Sequence, residues 1–376
     1  MNIEDLTLLI LEKLSARDKL NFVTTDKINN NYADKIYFDD KVLYSAIINS
    51  KYFHNCTNVE ACGKILLLPR KIKKLKVLNM FNREDKILIP KTVTHLELAE
   101  LPIHDYIFPE TITHLTFDVS YNQNINNCLP LHLTHLTFGS RFNQNIINCL
   151  PQNLKYLTFG KSFNQNIDNC IPPNITHLKF GSDFNTYIKN RLPISLTHLT
   201  FGNAFNQNIE NCLPIYLTHL IFGYYYNKDI KNYLPTSLTY LVFGHDYWHD
   251  INNCLPNSIT YLIFKTTYNN NLNNCLPDSL KYLTLGKYFN REIKNCLPKS
   301  LLHLTFGDEF NQNIEGHLPN SITHLTFGKE FTKNINNCLP INITYLSLCS
   351  YKYKINIRSL PISIKKIIIG QTVLIF

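Results

Sequence analysis

No apolar run in this chain reaches the roughly 18–20 residues that a membrane span requires. No secretory signal is legible either. Met1–Asp5 holds two acids and no positive segment, and the short stretch LTLLIL runs straight into Glu12 and Lys13. These two absences predict a protein of the reducing cytosol or nucleus, with no membrane partner. Charge is sparse as well: 17% of 376 residues, with a net +9 spread thinly. The densest basic run is Arg70, Lys71, Lys73, Lys74 and Lys76. A nucleic-acid interface would show a stronger basic stripe and aromatic platforms, so no nucleic-acid partner is expected. The chain has no glycine-rich phosphate loop, no nucleophile–base signature and no metal-ligand spacing. Cys56 and Cys62 stand alone, outside the local C-x₂₋₄-C pairing that zinc favours. The sequence therefore assigns no catalytic, cofactor-binding or metal-binding residue. It predicts no cofactor, no small-molecule substrate and no enzymatic activity.

What is abundant is repetition. Prolines stand at 109, 130, 151, 172 and onward to 361, each 21 residues from the last. Pro69 and Pro90 extend the series upstream, with one step of 19 before Pro109. A period in this range signals a solenoid or array. With proline as position 0, the unit reads P-x-x-L-T-H-L-T-F-G-x-x-F-N-Q-N-I-x-N-C-L, and Pro130–Leu150 is a clean copy. The apolar positions are 3, 6, 8, 12, 16 and 20. In LTHLTF, Leu136 and Phe138 alternate with His135 and Thr137, the period of a half-buried strand. The glycine at position 9 ends the strand, and the proline punctuates the next turn. L-x-x-L-x-F resembles the strand core of a leucine-rich repeat. One such unit cannot bury enough apolar surface to offset the entropy of ordering it; stacked units can. The expected fold is a β-rich solenoid of 21-residue coils with one parallel sheet.

The remaining columns follow from that register. Asparagines at position 13, such as Asn143, Asn164 and Asn206, either hydrogen-bond between copies or tie down turn backbone. FNQNI is compatible with a short second strand or an irregular turn. Eight cysteines share position 19, from Cys128 to Cys338, beside a leucine expected to be buried at position 20. They read as small, inward, reduced thiols. Position 5 alternates histidine and tyrosine, which predicts an aromatic ladder on the open strand face rather than a metal ladder. Solenoids commonly bind partners on that face. Candidate contacts there are His135, Thr137, Tyr156, Thr158, His198, Thr200, Tyr240, His303, Thr305, His324 and Thr326. Tyr224, Tyr225, Tyr226, Tyr247 and Trp248 read as a patch at variable turns. Three Asn-x-Thr triplets, at Asn55, Asn174 and Asn342, carry no meaning without secretion.

Residues 1–50 obey another rule. Ile3, Leu6, Ile10 and Leu14 share a helical face. Ser15–Asp18 resembles a capping box before a second helix bearing Leu20, Val23 and Ile28. A third helix is expected through Tyr44–Ile48. Residues 51–68 read as a connector or N-terminal cap, and 69–376 as the solenoid of about 14 units.

The unit P-x-x-L-T-H-L-T-F-G-x-x-F-N-Q-N-I resembles the FNIP repeat family, a leucine-rich-repeat relative of social amoebae and of giant viruses that infect amoebae. The opening NIEDLTLLILEKLSARDKLNFVTTDKINNNY is similar to an F-box, although Asn2–Ile3 replaces the usual Leu-Pro and no tryptophan follows the second helix. The resemblance implies a substrate-recruiting adaptor of a Skp–cullin ubiquitin ligase, acting in the cytoplasm (of the host, for a viral chain). Its Skp-facing contacts would be Leu6, Leu9, Ile10, Leu14, Leu20 and Val23. The alternative is a plain scaffold whose N-terminal helices only cap the array.

Overall fold

The structure, a computed structural model, describes residues 41–49, 53–62, 67–78, 88–99, 107–350, 353 and 356–376. The helices expected before residue 40, with Leu6, Leu9, Ile10, Leu14, Leu20 and Val23, lie outside these residues. The chain divides into two units, Met1–Phe163 and Asn164–Phe376. It makes about 14 turns of 21 residues.

In the first unit, β1 (Val42–Leu43) leads into a short helix α1 (Tyr44–Ile47), where the third helix was expected. Then come β2 (Asn58–Cys62), β3 (Lys74–Leu78), β4 (His95–Leu98), β5 (His114–Phe117), β6 (His135–Thr137) and β7 (Tyr156–Thr158). These strands pair in parallel, and Val59, Leu75, Leu96, Leu115, Leu136 and Leu157 stand partner to partner. The 19-residue step before Pro109 does not disturb this register: His95 faces His114. Parallel pairing also starts earlier than the proline series, because β1 pairs with β2 upstream of Pro69.

The second unit carries β8 (His177–Lys179), β9 (His198–Thr200), β10 (His219–Ile221), β11 (Tyr240–Val242), β12 (Tyr261–Ile263), β13 (Tyr282–Thr284), β14 (His303–Thr305), β15 (His324–Phe327), β16 (Tyr345–Leu348) and β17 (Lys366–Ile369). All are parallel and in 21-residue register. β18 (Thr372–Ile375) turns back antiparallel on β17, through Gly370 at φ +57°.

The coils beginning at Pro109 through Pro319 bury the apolar positions 3, 6, 8, 12 and 16; in one coil these are Leu196, Leu199, Phe201, Phe205 and Ile209, none more than 3% exposed. Phe201 stacks on Phe205 at 3.7 Å, and Phe205 stacks on Phe184 of the preceding coil at 6.1 Å. The glycine at position 9 does more than end the strand. A Cβ built on Gly202 would lie 1.6 Å from the carbonyl oxygen of Gly181, so only a bare backbone lets the coils approach this closely.

FNQNI is an irregular turn, not a second strand. The position-13 asparagines tie down its backbone: Asn206 N–H donates to Asn185 Oδ1 at 2.9 Å, and Asn227 N–H to Asn206 Oδ1 at 3.0 Å. The next turn depends on a column the sequence reading passed over. Position 18 is left-handed, held by asparagines such as Asn127, Asn211 and Asn295 with φ between 52° and 62°. Asparagine tolerates that conformation better than other residues with a Cβ. Gly316 replaces it once, at φ +67°.

Position 20 is buried as expected at Leu129 and Leu150 but departs from expectation further along the chain. Leu213, Leu234 and Leu255 are only half-buried, whereas Cys212 and Cys254 beside them are buried. The turn explains the exchange, because each thiol folds back onto it. Cys254 Sγ donates to the Asn252 carbonyl at 3.3 Å, and Cys149 Sγ to Asn126 Oδ1 at 2.8 Å.

Candidate functional site

The open strand face is built from position 5. In the first unit the rings of His95, His114, His135 and Tyr156 stack at 3.9, 4.0 and 4.2 Å. In the second, His177, His198, His219, Tyr240, Tyr261, Tyr282, His303, His324 and Tyr345 stack successively at 4.0 to 5.5 Å. This is the aromatic ladder expected from the sequence.

A threonine precedes every histidine of the ladder except His303, which follows Leu302, and orients the ring. Thr197 Oγ1 donates to the Thr176 carbonyl at 3.1 Å, which leaves its lone pair to accept from His198 Nδ1 at 2.9 Å. The same arrangement holds Thr134 with His135, Thr218 with His219 and Thr323 with His324. A neutral imidazole with its proton on Nδ1 presents the bare Nε2 outward. Burial lowers the pKa of His114, His177, His219 and His303, and neighbouring histidines lower His114, His177 and His303 further. For His198, burial first and then His177 and His219 bring it down to about 4. These five histidines are therefore uncharged at neutral pH. The rings of the ladder are near-parallel, so their lone pairs point the same way instead of converging on an ion. Among the described residues no cluster of histidine, cysteine and acid can hold a metal.

Thr137, Thr158, Thr200, Thr305 and Thr326 flank the ladder as half-exposed residues of position 7. The expectation of small residues there fails in three consecutive strands. Ile221, Val242 and Ile263 replace threonine, beside Tyr240 and Tyr261. The signal was present in the sequence, but it shows only when the copies are aligned column by column.

The turn patch divides. Tyr224, Tyr225 and Trp248 are 40%, 54% and 59% exposed, with Tyr224 stacked on His245 at 4.3 Å and Trp248 on His249 at 4.6 Å. Tyr226 and Tyr247 are fully buried, which corrects their placement at a surface turn. Both occupy position 12, the phenylalanine column of the core. Their hydroxyls, like those of Tyr121 and Tyr268, are buried with no hydrogen-bond partner. Burial pushes all four hydroxyls well above their ordinary pKa.

Burial makes the position-19 thiols of Cys149, Cys212, Cys254, Cys275 and Cys296 unreactive. None of the described cysteines is in a disulfide, and burial raises Cys275 to about 11. A thiol held in its protonated form is a poor nucleophile. An open polar groove of about 980 Å³ runs over the turns near Asn271 and Asn290. Its amides serve the turns themselves: Asn271 Oδ1 takes the Asn273 N–H, Asn273 Oδ1 takes the Cys296 thiol, and Asn290 Oδ1 takes the Asn311 N–H. Among the described residues no helix is long and apolar enough to cross a membrane.

With this geometry in hand, comparison with known proteins is informative. A search of curated proteins found no match. Among solved structures the chain is similar to one described as CroV588, a novel circular LRR protein structure. Identity is 35% and the TM-score 0.57, over 88% of this chain and 61% of that one. The chain thus spans less than two thirds of that structure's length. It is also similar in fold to YopM from Yersinia enterocolitica WA-314, with 20% identity and a TM-score of 0.50, over 84% of this chain and 72% of that one. The FNIP Repeat profile matches overlapping segments running from residue 102 to residue 372. These matches cover most of the sequence, and the chain belongs to the FNIP repeat family.

Proposed function

We propose that this chain is a non-enzymatic protein–protein interaction protein of the cytoplasm, and that its strand face, including His135, Thr137, Tyr156, His198, Tyr240 and His303, presents a protein target. The observation that carries this reading is the ladder: outward rings held in fixed register by threonine and backbone, with their charge suppressed. Such a surface is already ordered before it meets a partner, which lowers the entropic cost of binding. Residues 1–50 would then recruit a Skp-type subunit of a cullin ubiquitin ligase through Leu6, Leu9, Ile10, Leu14, Leu20 and Val23. The test is co-precipitation with the Skp subunit. Wild type should recover it and the Leu9→Asp, Ile10→Asp double variant should not; equal recovery from both would sink the ligase role.

A second reading, in which residues 1–50 only cap the solenoid, has its own support. β1 pairs with β2, Tyr44 is buried, and the Leu67 N–H donates to the Tyr44 hydroxyl at 3.3 Å. This part of the segment is built into the first coil. Deleting residues 1–50 should then lower stability while partner binding persists. Loss of binding without loss of stability would exclude the cap-only role.

A further inference from the structure

The strand face of the second unit is not uniform. Its outward positions 4, 5 and 7, followed from β8 to β17, contain no aspartate or glutamate. The acids of this unit sit in the turns, as in Glu210, Asp229, Asp250 and Glu292. The same outward positions hold four lysines: Lys179, Lys281, Lys365 and Lys366. Between Lys179 and Lys281 the character changes. Residues 193–209, 214–227, 235–245 and 256–264 contain no aspartate, glutamate, lysine or arginine. In that uncharged interval Ile221, Val242 and Ile263 replace the threonine of position 7, and Tyr240 and Tyr261 replace the histidine of position 5. Register sets each aliphatic residue beside the next, and the rings stack at 4.5 Å.

The result is a half-exposed aromatic row flanked by the half-exposed Ile221 and Ile263, with Val242 buried between these two and exposed lysines beyond both ends. Depletion of charge with enrichment in aromatics is the composition of an interface centre, and a charged rim around it is the usual complement. Lys179, on β8, and Lys281, immediately before β13, are five coils apart, about 24 Å at about 4.8 Å per strand. That span is covered by about seven residues of extended chain or about sixteen of helix.

We infer that the face spanning β10–β12 is a docking site for an acidic peptide segment with an apolar centre, laid across successive strands so that its acidic ends meet Lys179 and Lys281. This rests on the strand-face reading above and makes it specific. The apolar centre would settle on the half-exposed Ile221 and Ile263 and on the rings of Tyr240 and Tyr261, with Val242 buried beneath them, and the two lysines would favour acidic and suppress basic partners.

The repeat itself supplies variants that keep the fold. Threonine stands at position 7 in β9, β13, β14 and β15, so Ile221→Thr and Ile263→Thr return the site to the common pattern. A phage-displayed library of random 16-residue peptides, selected on the immobilised full chain and counter-selected on the Ile221→Thr, Ile263→Thr double variant, tests the inference. Enriched peptides should carry aromatic or aliphatic centres with acidic flanks. As synthetic fluorescent peptides they should bind wild type at least tenfold more tightly than the double variant. Lys179→Glu with Lys281→Glu should reverse the flank preference. Enrichment of basic or charge-neutral flanks, or equal binding to both proteins, would overturn the inference. So would a second copy of the chain occupying the face, seen as a wild-type dimer in sedimentation that Ile263→Thr dissociates. If a protein partner of the full chain is retained equally by the double variant, this docking site fails while the interaction role stands. If selection on the strand face yields nothing and no partner is retained, the broader reading fails too.

Discussion

The rings behind each strand and the rings in front of it stack on the same coil-to-coil repeat, yet they tolerate different chemistry. Behind β9, Phe201 and Phe205 interleave at 3.7 Å with no solvent access. In front of it, His198 stacks on His219 at 4.1 Å, half-exposed and bonded to threonine. Register produces both stacks, since identical positions must meet every 21 residues. Solvent decides what each can contain. Histidine and tyrosine interchange freely in front, where water and Thr Oγ1 satisfy their polar atoms. Behind the sheet, the same phenylalanine-to-tyrosine exchange strands a hydroxyl, as in Tyr226, Tyr247 and Tyr268.

Forcing two coils apart should disturb both faces at once. Gly202→Ala places a Cβ against the Gly181 carbonyl, and a loss of more than about 4 kcal/mol is expected by urea denaturation. A wild-type midpoint would show that the close approach is not required. Emptying only the inner stack costs less: Phe205→Ala should lose about 3–5 kcal/mol through cavity formation. Smaller still, and opposite in sign, is Tyr247→Phe. Removing a buried, unpartnered hydroxyl while keeping the ring should raise stability by about 1–3 kcal/mol. A decrease would mean that the hydroxyl has a partner after all.

The outer stack should respond to pH rather than to volume. His198→Tyr copies the residue of other coils and should change stability by no more than about 0.5 kcal/mol at pH 7. Its effect appears on acidification. The folded His198 takes its proton at about 4, below the ordinary 6.5, so the unfolded chain protonates first as pH falls. The stabilisation present above pH 6.5 is lost progressively down to about pH 4. Thermal melts of wild type across this window should fall more steeply than those of His198→Tyr; parallel curves would show that the histidine stack carries no linkage.

Much of this fold was legible in the sequence because a fixed period leaves little freedom. One register places Leu199 over Leu178 and His198 over His177, and the strand alternation then separates inside from outside. The two misplaced tyrosines show the limit of reading by local character. Tyr224, Tyr225 and Tyr226 look alike as a run, and only the column index sends the third inward. The apolar row at Ile221, Val242 and Ile263 was missed for the same reason, because each replaces threonine singly in its own coil.

The sequence alone determined the period, the parallel in-register ladder and the two faces of each strand, since these follow from spacing and alternation. The tertiary structure decided what spacing does not specify: that glycine at position 9, as at Gly202 against Gly181, lets neighbouring backbones touch, that position 18 is left-handed, and that at Cys212 and Cys254 the cysteine rather than the neighbouring leucine turns inward. Each of these depends on how closely one coil lies on the next, a distance that appears only once the backbone of the neighbouring coil is in place.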